Sequence, residues 1–72
     1  MATDTTGVLT HWNGEGVRVE VRQVKDGYEV NVLRAGQISA KVPCETEIEA
    51  RKIFERWVED IVLRSYLERR LE

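Results

Sequence analysis

All five glycines of this 72-residue chain lie at or before position 36, and its one proline is Pro43. Nothing after Pro43 is a strong helix breaker, so the last third of the chain is free to run as one long helix. The first part reads differently. Apolar residues alternate with polar ones over Val8–Trp12, Val17–Gln23, Tyr28–Leu33 and Gln37–Val42, and these runs are separated by Asn13-Gly14-Glu15-Gly16, Val24-Lys25-Asp26-Gly27 and Arg34-Ala35-Gly36. Period-two alternation broken by glycine turns predicts four half-buried strands in a meander.

Register follows from the rule that directly opposed residues on antiparallel strands share a face. Placing Gln23 opposite Tyr28 brings Val21 to Val30, Val19 to Val32 and Arg22 to Glu29. A tighter Asp26-Gly27 hairpin would set Val24 against Glu29 and is rejected. A three-residue loop placing Leu33 opposite Gln37 brings Val32 to Ile38, Val30 to Ala40, Tyr28 to Val42 and Glu29 to Lys41. Pairing Trp12 with Val17 across a four-residue loop puts Val8, Thr10 and Trp12 on the inner face and sets His11 opposite Arg18.

Thr46-Glu47-Ile48-Glu49 is a capping box, and the helical pattern then runs to about Leu71. At 100° per residue, Ala50, Ile53, Phe54, Trp57, Val58 and Ile61 form one apolar stripe suited to covering the sheet. The predicted fold is therefore α+β: a four-stranded antiparallel meander packed on one C-terminal helix, ββββα, over residues 7–72, with residues 1–6 disordered.

Beyond Ile61 the apolar positions change sides. Val62, Leu63, Tyr66 and Leu67 centre opposite the first stripe, and Arg64, Ser65 and Glu68 take over the sheet-facing side. A helix this long also outruns strands of six or seven residues, about 39 Å against about 20–23 Å. Three readings remain open: a break near Asp60 with the last residues folded back, cover by a second copy of the chain, or cover by a different protein. The expected interface residues are Val62, Leu63, Tyr66 and Leu67, in a homodimer whose helix ends cross.

Chemistry is sparse. His11 is the only histidine and has no evident acidic or hydroxyl partner, and Cys44 is the only cysteine, which excludes an intrachain disulfide and a cysteine-based zinc site. Glu45, Glu47 and Glu49 read as favourable charge at a helix N-terminus. Gly14-Glu15-Gly16 lies between strands and is a turn, and Trp12 and Trp57 read as core. No enzyme activity, cofactor or metal is expected. Thirteen acids against eleven bases give a net charge of −2, which disfavours a nucleic-acid coat. With no basic leader and no apolar run long enough to span a bilayer, no membrane association is expected and the compartment is the cytoplasm.

The outer sheet face is expected to present Arg18, Glu20, Arg22, Glu29, Asn31, Leu33, Gln37, Ser39 and Lys41, with Arg34 at the turn. Arg18, Arg22, Asn31, Arg34 and Lys41 are the candidates for nucleic-acid contact, because Arg and Asn can address base edges bidentately. The run Asp26-Gly27-Tyr28-Glu29-Val30-Asn31-Val32, then Gly36, then Thr46-Glu47-Ile48-Glu49-Ala50, resembles the AP2-like arm-site-binding domains of phage integrases over about Val17 to Asp60. That resemblance implies a three-stranded sheet packed on one helix, with the sheet reading DNA. A small nucleic-acid-binding or regulatory protein is accordingly the alternative to a protein-interaction module.

Overall fold

The computed structural model describes the chain from residue 7 to residue 71; the segment 1–6, expected to be disordered, lies outside the described residues. Four strands, β1 (Gly7–Gly14), β2 (Val17–Val24), β3 (Gly27–Arg34) and β4 (Gln37–Cys44), precede one helix, α1 (Glu47–Leu71). The strands form a single antiparallel sheet in chain order. The predicted ββββα architecture is the one observed.

The β2–β3 register is as predicted, with Val19 opposite Val32, Val21 opposite Val30 and Arg22 opposite Glu29. The other two hairpins differ from expectation. Glu15-Gly16 and Ala35-Gly36 are two-residue turns with positive φ at both positions, 53° and 74° in the first, 53° and 79° in the second. Such turns match the right-handed twist of the flanking strands, and this geometry outweighs the cost of roughly 1 kcal/mol for a left-handed Glu15 or Ala35. The pairing consequently extends further into each turn. Trp12 pairs with Val19, not Val17, and His11 with Glu20, not Arg18. On β4, Ile38 pairs with Leu33 and Ala40 with Val32.

Continued without interruption, the second tight turn would carry Ala40 and Val42 to the outer face. A register shift at Ser39 restores them to the helix side, opposite Val32 and Val30, and the Ser39 hydroxyl donates to the Val32 carbonyl at 3.3 Å. The shift leaves Ile38 on the outer face, 53% exposed, where the sequence predicted it inside. A second shift between Val8 and Thr10 sets Val8 opposite Arg22, so Val8 also leaves the predicted inner face.

The core consists of Val17, Val19, Val21, Val30, Val32, Cys44 and Ala50, with Trp12, Tyr28, Ala40, Val42 and the predicted helix stripe packed around it. Ala50 has no exposed surface and is part of the core that joins the helix to the sheet. The helix packs on β2, β3 and β4. On β1, Trp12 turns its ring over Gly14, where a Cβ would come within 2.6 Å of the ring.

The helix start is half of the predicted capping box. The Glu49 amide donates to the Thr46 Oγ1 at 3.2 Å. Burial, and then the nearby charge of Glu49, hold the Cys44 thiol above its ordinary pKa. Thr46→Ala should therefore lower stability by about 1 kcal/mol, read as a reduced urea midpoint with an unchanged m-value; Thr46→Ser should restore most of it.

Candidate functional site

The helix is continuous from Glu47 to Leu71, as the unbroken pattern predicts, so the alternative reading with a break near Asp60 falls away. Its 25 residues span about 37 Å against about 26 Å for an eight-residue strand. The final turns run past the sheet. Between them and the sheet lies an open cleft of about 520 Å³, lined by Val17 and Val32 from the sheet and by Trp57, Ile61, Arg64, Ser65 and Glu68 from the helix. Arg69 reaches from the last turns to Glu15 in the β1–β2 turn, Nη2 to Oε1 2.6 Å. That bridge ties the overhang to the sheet.

The apolar residues of the overhang point elsewhere. Val62, Leu63, Tyr66 and Leu67 are 48%, 56%, 52% and 51% exposed, on the side of the helix away from the sheet. Reversal of the apolar stripe is thus matched to geometry: where the helix parts from the sheet, its sheet-facing side turns polar and its outward side turns apolar. Scattered apolar side chains on a surface are ordinary, but four neighbours on one continuous face form a patch of the kind that marks an interface.

The outer sheet face is more self-contained than the sequence suggested. Glu20, across the sheet from Asn31, is only 4% exposed, and Asn31 is 2% exposed with its Oδ1 unpartnered. Arg18 and Arg22 close over the same Glu20 carboxylate, at 3.7 and 3.8 Å. Lys41 approaches Glu29 at 3.9 Å, although its strand neighbour is Asn31. Arg34 does not join this group; it lines the cleft on the helix side, opposite Gln37. Ser39 lines the same cleft, and the place expected for Gln37 and Ser39 on the outer face is taken by Ile38.

The remaining sequence candidates fall into place simply. His11 is exposed on the outer face. Cys44 is buried and its thiol donates to the Val42 carbonyl at 3.8 Å, so it is shielded from reaction. Glu47 holds Arg51 in an i,i+4 pair at 2.7 Å. Among the described residues no group of three or more His, Cys, Asp or Glu side chains could hold a metal ion, and no helix is long and apolar enough to cross a membrane.

Set against protein-family models, curated proteins and solved structures, the chain matches none of them.

Proposed function

We propose that this chain is a small, non-enzymatic, cytoplasmic protein-interaction module that acts as a homodimer joined through its helix ends. The observation that carries the reading is the outward stripe of Val62, Leu63, Tyr66 and Leu67, four neighbours each about half exposed on one face of the helix end. A second copy offers the same stripe in return, which is what an isologous two-fold interface requires.

Sedimentation equilibrium at micromolar concentration tests it. The expected mass rises with concentration from that of one chain, 8.3 kDa, toward twice that value; a mass of one chain across the accessible range would end the dimer reading. The alternative, nucleic-acid contact through the outer sheet face as the integrase-domain resemblance implies, draws less support, because Arg18, Arg22 and Lys41 already face carboxylates in their own sheet. Duplex DNA binding at low salt that is lost on charge reversal of Arg18, Arg22 and Lys41 would instead move the function to that face.

A further inference from the structure

We infer that the two helices of the dimer cross antiparallel, on a two-fold axis passing between Arg64 and Ser65. The inference rests on the dimer reading above and adds the direction and register of the contact. The apolar stripe is symmetric about that midpoint: Val62 and Leu67 are equidistant from it, as are Leu63 and Tyr66. In an antiparallel crossing centred there, Leu63 comes level with the partner's Tyr66, and Val62 with the partner's Leu67. Each of these four exposed side chains meets another.

The flanking charges select the same direction. Glu59 and Asp60 precede the stripe and Arg70 follows it, while Arg69 is already held by Glu15 of its own chain. Antiparallel helices bring the acidic end of one stripe to the basic end of the other, whereas parallel helices stack acid on acid and base on base. Opposed macrodipoles favour the antiparallel arrangement as well.

One competing antiparallel register exists. Sliding the axis back to Trp57 would cover Ile48, which is 69% exposed, with the partner's Tyr66. It would also set Glu55 level with the partner's Glu59, and Lys52 level with Val62. One apolar contact would be gained at the expense of a like-charge pair and a mismatched lysine, and Leu63 and Leu67 would lose their partners. The crossing near Arg64 wins. Its overlap of about a dozen residues is small, so the complex belongs with weak, concentration-dependent assemblies.

Spin labels on exposed positions outside the crossing read the arrangement directly. With a label at Lys52→Cys, the 1.5 Å rise per residue places the two labels of a dimer about 38 Å apart along the helices; at Arg56→Cys the separation falls to about 26 Å. Buried Cys44 stays unlabelled, which mass spectrometry of the labelled protein verifies. Pulsed dipolar spectroscopy should give the longer distance for position 52 and a fall of about 12 Å on moving to position 56. Equal short distances at both positions would mean parallel helices, and a distance near 15 Å at position 52 would mean the register centred on Trp57; either overturns the inference and leaves the dimer standing. Sedimentation of the same labelled samples reports separately whether the dimer exists at all.

Discussion

Replacing Leu63 and Leu67 together by alanine should give a chain that is folded and monomeric at concentrations where the native chain is dimeric. Both side chains are more than half exposed in the single chain, so their truncation removes little from the chain's own packing. In the proposed dimer the same atoms would be buried, and deleting a buried leucine side chain costs about 2–5 kcal/mol. Since 1.4 kcal/mol is tenfold in affinity, even the low end for the pair would weaken association by more than about a hundredfold. The measurement is the dissociation constant by sedimentation, with far-UV circular dichroism to establish that the helix survives. Ile48→Ala is the matched control: it removes an exposed apolar side chain from the same helix but outside the overhang, and should leave the constant unchanged. A double variant that still dimerises with native affinity would show that the stripe is not the interface.

Gly27→Ala should cost the chain much of its fold. Gly27 begins β3 with φ at +149°, and a Cβ there would lie 2.6 Å from the Cys44 carbonyl oxygen. The obstacle is backbone, held between the end of β4 and the start of the helix, and it cannot swing aside. Strain at such a φ costs about 1–3 kcal/mol before the collision is counted, and a core of this size supplies about 3–5 kcal/mol in all. Gly36→Ala provides the comparison. Its φ of +79° is equally foreign to alanine, yet nothing lies within 4 Å of the added Cβ, so only the conformational cost of about 1–2 kcal/mol applies. Urea unfolding should rank the native chain first, Gly36→Ala second and Gly27→Ala far below, with a substantial unfolded fraction before any denaturant is added. Equal midpoints for the two variants would mean that the β3–β4 end yields more readily than its close approach implies.

Much of the fold was legible because several local signals agreed. The Val19–Val32 and Val21–Val30 pairs, the start of the helix at Thr46 and the stripe from Ala50 to Ile61 each followed from alternation, capping or helical period. The outer hairpins were misread for a physical reason. Loop lengths were set by assigning positive φ to glycine alone, and both turns place a non-glycine residue, Glu15 or Ala35, in the left-handed region as well. From that came the misplacement of Ile38 and Val8, since a register shift within a strand has no strong sequence mark. Burial of Glu20 and Asn31 was also missed. Alternation assigns polar residues to a solvated face, but the long side chains of Arg18 and Arg22 lie over their neighbours and turn part of that face inward. The Arg69–Glu15 bridge joins residues 54 apart in the chain, a separation at which no periodicity speaks. The outward stripe, by contrast, was visible as a change of helical face, and its exposure is as expected.

The register shifts near Leu9 and Ser39 fall on β1 and β4, the two strands that end the sheet. A straight edge strand offers a free row of amides and carbonyls on which another chain can build a further strand, and then another, without limit. A bulge breaks the spacing of that row and increases the local twist, and on β4 Pro43 removes one donor altogether. Ribbon-like growth from the sheet is therefore discouraged at both margins. The proposed contact through the helix has the opposite topology: a two-fold crossing would consume the surface that makes it, and association would end at a closed pair.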